Sequence, residues 1–152
     1  MSSTSTAVQV FLGGSCDPTT WRLDTAIPAL ENAGVSYYNP QVDDWSPELV
    51  EIEAGAKAAA ACCLFVIDSQ TRAIASMLEA AELITAGRSV TVVILDIEDG
   101  TEIGGQPVTG RELKDLNRAR AYLRDIADRN GADVYDSVPA AVEGVIRAYA
   151  TA

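Results

Sequence analysis

Six consecutive apolar residues, Cys62-Cys-Leu-Phe-Val-Ile67, followed at once by Asp68, constrain the fold more than any other part of this sequence. A run this short, apolar at every position, is the pattern of a strand covered on both faces, as found inside parallel sheets. Val90-Thr-Val-Val-Ile-Leu95 repeats the pattern one helix length later, and Val8-Gln-Val-Phe-Leu-Gly13 provides an earlier example. Strands of this kind need helices on both sides, so the intervening segments are expected to be helical.

Those segments carry helix signals. Asp17-Pro18 reads as an N-cap and first helical position, opening a helix that buries Leu23, Ile27 and Leu30 and stops at Gly34. Pro28 lies inside it and is expected to kink or break it. Val35-Ser-Tyr-Tyr38 is a short strand, halted by Asn39-Pro40. Ser46-Pro47-Glu48 opens a second helix, which puts Leu49, Ile52, Ala56 and Ala59 on one face. A third helix runs from about Thr71 to Ala86, with a core stripe of Ile74, Met77, Leu78 and Ala81. The glycine-rich segment from Asp99 to Gly110 precedes a charged helix from Arg111 to Arg129, a strand at Asp133-Val-Tyr135, and a closing helix from Val138 to Tyr149. Uninterrupted alternation predicts an α/β fold: a doubly wound five-stranded parallel sheet in the flavodoxin-like order 2-1-3-4-5, with helices on both faces. The expected organisation is a flexible tail over residues 1–7 and a single domain over 8–152.

Charge and composition narrow the function. Eleven basic against 22 acidic residues give a formal net charge of −11, which opposes binding to a phosphate backbone, so no nucleic-acid partner is expected. No apolar run approaches the ~18 residues of a membrane span. Histidine is absent, which removes the usual base of Ser-His and Cys-His mechanisms and the commonest zinc ligand. No metal cluster or cofactor is expected. Catalysis must rest on carboxylates, hydroxyls, lysine, tyrosine or a thiol. The adjacent Cys62 and Cys63 read as buried thiols in a reducing compartment, which places the chain in the cytoplasm. Cys16, in the glycine loop, has no evident local base to activate it.

In an open parallel sheet, ligands bind beyond the carboxyl ends of the strands where strand order reverses. That rule selects Gly13, Gly14, Ser15, Cys16 and Asp17 after the first strand, and Asn39, Pro40, Asp43, Asp44 and Trp45 after the second. After the third it selects Asp68, Ser69, Gln70, Thr71 and Arg72. Gly13-Gly14 serves either a backbone need for positive φ or the close approach of a ligand. It is neither a Walker loop nor a full dinucleotide fingerprint. Glu79 projects from the third helix on a face shared with Ser76, Ala80 and Leu83, with no Lys or Arg three or four residues away. It is therefore either an exposed helix glutamate or a carboxylate at the mouth of the site. Glu53, four residues before Lys57, has the spacing of a surface ion pair.

Taken together, these segments resemble the nucleoside 2-deoxyribosyltransferase-like family. The resemblance lies in Val10-Phe-Leu-Gly-Gly-Ser15, in Tyr38-Asn-Pro40 with Asp43-Asp44-Trp45, and above all in Ser76-Met-Leu-Glu-Ala-Ala-Glu82 leading to Gly87-Arg88 and the strand at Val90. It covers roughly residues 8 to 95. It implies N-glycosidic bond cleavage or 2-deoxyribosyl transfer on a nucleoside or its 5′-monophosphate, with Glu79 as nucleophile forming a glycosyl-enzyme intermediate. A second acid must protonate the leaving base. Asp43, Asp44, Glu53 and Asp68 are its candidates, and alignment within the second helix selects Glu51 or Glu53. Gly13, Gly14, Ser15, Asn39, Asp44 and Trp45 are the expected substrate contacts, and Arg72 suits a 5′-phosphate. Six residues before the nucleophile, where relatives carry aspartate or serine, this chain has Ala73, which leaves transfer and hydrolysis both open. Two rivals stand beside this reading: an NAD-cleaving glycohydrolase, and a non-catalytic nucleotide-binding or interaction domain. Sites of this kind are often completed by a neighbouring subunit, so a homodimer or larger homo-oligomer is expected, with the helix from Arg111 to Arg129 as the contact segment.

Overall fold

The computed structural model describes residues 8–44 and 46–150, so the expected tail and Trp45 lie outside the described residues. β1 (Val10–Gly14), β2 (Tyr37–Tyr38), β3 (Cys62–Ile67), β4 (Val90–Ile94) and β7 (Asp133–Tyr135) form a five-stranded sheet in the order β2-β1-β3-β4-β7, every pairing parallel. This is the anticipated 2-1-3-4-5 arrangement. The label of the last strand is higher because Thr101–Ile103 (β5) and Gln106–Val108 (β6) form a separate antiparallel hairpin. The hairpin occupies the glycine-rich segment from Asp99 to Gly110, whose sequence shows no strand pattern. Ile103 and Val108 bury against Ile97 and Leu116, a small third core that gives the hairpin its stability.

The two faces of the sheet are divided by the period of two along each strand. Cys62, Leu64 and Val66 join Val10, Leu12 and Val93 on one face, under α1 (Ile27–Asn32) and α5 (Val138–Tyr149). Cys63, Phe65 and Ile67 join Phe11, Val92 and Ile94 on the other, under α3 (Ile74–Thr85) and α4 (Gly110–Arg129). The neighbouring cysteines therefore point into opposite cores and both are free thiols. Burial raises both, Cys63 to about 11, so neither is a ready nucleophile. Among the described residues, no helix is long and apolar enough to cross a membrane.

Expectations for three helices are corrected. The first helix begins at Trp21, not at Pro18. Cys16–Thr19 forms a turn instead, with the Thr19 amide on the Cys16 carbonyl at 2.7 Å. Pro28 does not break the helix, which runs on to Asn32. The preceding turn, Arg22–Ala26, is π-helical, with the Ile27 amide bonded five residues back to Arg22. This shift of hydrogen-bond register rotates the helix, so Arg22, Ala26 and Leu30 face inward and Leu23 is 65% exposed. In α3 the buried stripe is Met77, Ala80 and Ile84, while Ile74 and Leu78 are exposed. Two apolar stripes overlap in this helix, and the small Ala80 side chain is the one that lies fully buried against the sheet. In α2 (Glu48–Ala59), no residue is fully buried: Leu49 and Ala56 are only partly covered, and Ile52 and Ala59 are exposed.

Two fully buried arginines organise the edge of the sheet where the strands end. Arg120, from α4, donates to the carbonyls of Leu95 (2.8 Å), Asp68 (2.7 Å), Thr71 (3.0 Å) and Leu116 (3.3 Å). It ties the β3–α3 loop to the end of β4. Arg22 donates through Nε to Leu12 (3.0 Å) and through its Nη atoms to Ser15 (2.8 Å) and Gly14 (3.2 Å), and its guanidinium stacks on the Trp21 ring. Among the described residues, every fully buried side-chain nitrogen and oxygen has a hydrogen-bond partner.

Candidate active site

Because β2 and β3 flank β1 on opposite sides, the chain leaves β1 at the switch point of the sheet, and a cleft opens there. Its volume is about 760 Å³. The floor is Phe11, Gly13, Gly14, Cys16 and Arg22. The β2 loop from Pro40 to Asp43 forms one part of its wall, and Glu53 and Lys57 of α2 with Ser76 and Glu79 of α3 form another.

Gly13 and Gly14 make the floor possible. A Cβ on Gly13 would meet the Phe65 ring at 2.7 Å. Gly14 has φ +103, and a Cβ there would collide with the backbone of Val66 on the neighbouring strand. With no side chains, β1 and β3 stay paired to their ends, and the Ser15 amide reaches the Val66 carbonyl at 2.8 Å. Here the glycine pair serves the backbone and at the same time leaves the cleft floor open.

Glu79 sits at the rim with its side chain 48% exposed, and Lys57 Nζ lies 3.1 Å from its Oε2. The lysine comes from α2, a partner that spacing within α3 could not reveal. Lys57 has the spacing of a surface partner for Glu53, but it bonds Glu79 across the two helices, and Glu53 lines the same cleft. Burial, then the charge of Glu79, push the Glu53 carboxyl above its ordinary value, against the opposing pull of Lys57 and Arg22. The Tyr38 phenol, stacked on Phe11, is raised by burial and by Glu53. The wall thus holds two carboxylates and one ammonium within mutual electrostatic reach.

Asp43 lines the cleft on the β2 side, whereas Asp44 is exposed and does not line it. Asn39 shapes that loop, its Oδ1 accepting from the Gln41 amide at 3.0 Å, and Gln41 in turn accepts from Arg22 at 3.3 Å. Asp68 is buried behind the floor. Its Oδ1 accepts from the Thr71 hydroxyl (2.9 Å) and the Gln70 amide (3.2 Å), and Ser15 Oγ lies 2.8 Å from Thr71 Oγ1. Both residues brace the loops. Arg72 turns away toward the hairpin and the start of α4, where it pairs with Glu112 at 3.1 Å and lines a separate cavity of about 380 Å³ with Asp17, Gln70 and Gly104. Ala73 caps α3 in the left-handed region at φ 57, which costs an alanine roughly 1 kcal/mol. The Arg120 bonds to the carbonyls just before it hold that turn. No group of three His, Cys, Asp or Glu residues suited to a metal ion occurs among the described residues.

Residues 7–97, more than half of the chain, match the family model described as nucleoside 2-deoxyribosyltransferase like. All residues lining the cleft fall within that span. A search of curated proteins returns no match.

Proposed function

Because the chain belongs to the nucleoside 2-deoxyribosyltransferase-like family, we propose that it cleaves the N-glycosidic bond of a nucleoside or nucleoside 5′-monophosphate through a covalent glycosyl intermediate on Glu79. The observation that carries this reading is the wall of the cleft, where Glu79, Lys57 and Glu53 come together at the switch point of the sheet.

The chemistry follows from the charges. A Glu79 carboxylate oxygen attacks C1′ of the sugar as the bond to the base nitrogen breaks, and the positive charge developing at C1′ is stabilised by the same carboxylate. The electron pair of the broken bond stays on the base, which needs a proton. Glu53 is the best placed of the candidate acids, since a carboxyl raised by burial and a neighbouring carboxylate keeps its proton nearer neutral pH. Asp43, which lines the cleft from the β2 loop, is assigned to the substrate hydroxyls. Water, or a second base, then displaces the sugar from Glu79.

Incubating the protein with deoxynucleosides, ribonucleosides, their 5′-monophosphates and NAD, and following free base by chromatography, tests the reading. Release from a nucleoside or monophosphate is the expected result. Release of nicotinamide alone would favour NAD cleavage, and ligand-induced stabilisation without turnover would favour a binding domain. The pH profile carries a further expectation. Glu53 acts as an acid only while protonated, so turnover should fall as pH rises through its raised pKa. Glu53→Gln should remove that limb, with the largest loss on substrates whose leaving base most needs protonation.

The exposed apolar side chains Val50 and Ile52 of α2, with Ile74 and Leu78 of α3, are the surface we assign to a second subunit. α4 buries Leu116, Leu123 and Ala127 in its own core and leaves Tyr122 exposed. Light scattering should give the mass of a dimer or larger assembly, and the mass of a single chain would remove this part of the reading. The buried free thiols suit a reducing compartment such as the cytoplasm.

A further inference from the structure

α2 supplies two of the three charged groups on the cleft wall, yet none of its residues is fully buried, whereas α3, α4 and α5 each bury three or more. A helix so lightly packed depends on polar contacts for its position. Those contacts gather at its carboxyl end, and they come from α3 and the turn that follows. Glu79 of α3 holds the Lys57 ammonium at 3.1 Å. Nine residues on, Arg88 Nη2 donates to the Lys57 backbone carbonyl at 2.8 Å and to the Ala60 carbonyl at 3.1 Å. Carbonyls at a helix end lack intrahelical partners, and a cation there also meets the negative end of the helix dipole. The turn that directs Arg88 back is made by Gly87 at φ +82, with the Arg88 amide bonded to the Leu83 carbonyl at 3.0 Å. Lys57 is thus gripped twice, by its side chain and by its main chain.

We propose that Arg88 is a positioning residue of the cleft: by clamping the Lys57 and Ala60 carbonyls it fixes the end of α2, keeping Lys57 on Glu79 and Glu53 one turn away on the same wall. The order of Glu79, Gly87 and Arg88 in the chain then has a physical reason: one helix and its turn carry both the acid and the clamp that presents the acid's partner. When a sugar takes the place of Lys57 at Glu79, the Arg88 clamp is the grip that remains on α2. Its effect on turnover rests on the reading of Glu79 as nucleophile, whereas the clamp itself does not.

The test is an NMR titration of the Glu53 carboxyl in the full chain, for the parent, Lys57→Met, Arg88→Ala, Arg88→Lys and the Lys57→Met/Arg88→Ala pair. The groups acting on Glu53 are Glu79 on α3, Lys57 on α2 and Arg22 on the first helix, with Tyr38 of β2 beside it. Lys57 favours the ionised form, so Lys57→Met should move the midpoint up. Arg88→Ala should move it up as well, although Lys57 is still present, and Arg88→Lys should fall between Arg88→Ala and the parent. If Arg88 acts through Lys57, the double variant should titrate no higher than Lys57→Met alone. Base release in Arg88→Ala should fall about 10- to 100-fold, the scale expected when a reacting group is held slightly out of place. An Arg88→Ala midpoint equal to the parent's overturns the proposal, even if Tm falls. A shift that adds fully to that of Lys57→Met overturns it too. Unchanged turnover in Glu79→Gln would instead reject the nucleophile and leave the titration to decide the clamp.

Discussion

Glu79→Gln should reduce base release by on the order of 10³-fold or more, because it removes the attacking oxygen's charge while keeping the side chain's shape. The fold should be almost unaffected. Glu79 is half exposed and its pairing with Lys57 lies at the surface, where ion pairs add little stability. This separation of effects is the informative part of the result. A large loss of activity with an unchanged thermal midpoint places the residue in the chemistry, whereas a loss of both would make it structural. Glu82, one turn on from Glu79 and exposed, does not line the cleft, so Glu82→Gln is the matching control and should retain activity.

Gly14→Ala should have the largest effect on stability. The substitution forces a side chain into a φ of +103 and drives its Cβ into the Val66 backbone, which cannot move without unpairing β1 from β3. A cost of roughly 3–5 kcal/mol combines the backbone penalty with overpacking, and lowers the thermal midpoint by about 6–20 °C. The consequences extend to the cleft, since the Leu12, Gly14 and Ser15 carbonyls that Arg22 holds all lie on the displaced segment. Gly34→Ala provides the contrast. Gly34 also has a positive φ, but a Cβ there would enter open space, so only the backbone penalty of about 1 kcal/mol applies.

The sheet was readable because its signal is local. Six apolar residues in β3 and five residues ending at Ile94 in β4 can be buried on both faces only inside a parallel sheet, and the order of elements follows from right-handed crossovers. Helix faces were harder. In α3 the stripes through Leu78 and through Ala80 are both consistent with a period of 3.6, and the choice depends on how closely the helix approaches the sheet. In the first helix, a change of hydrogen-bond register at Arg22–Ala26 turned Leu23 outward, and nothing but Pro28 hinted at it. The hairpin was missed because its stabilising contacts, to Ile97 and Leu116, lie outside the segment.

For the cleft, the topology rule selects Gly13, Gly14 and Cys16 of its floor, and the resemblance points to Glu79, but the electrostatic partners come from three separate elements. Lys57 has the spacing of a partner for Glu53 and in space serves Glu79. The roles of Arg22 and Arg120 are recognisable only by the carbonyls that converge on them. Asp68 and Ser15 stand where the rule says a ligand should be met, yet the Asp68 carboxylate accepts from Gln70 and Thr71 of its own loop, and the Ser15 hydroxyl meets Thr71 and the Asp68 amide.

Intact-protein mass spectrometry after acid quenching tests the covalent step most directly, using a 2′-fluoro-2′-deoxynucleoside that slows departure of the sugar from the enzyme. The account predicts a mass increase of one sugar unit, located on the peptide that carries Glu79 and absent from Glu79→Gln. Release of base with no adduct on that peptide, and with Glu79→Gln still turning over, would contradict it.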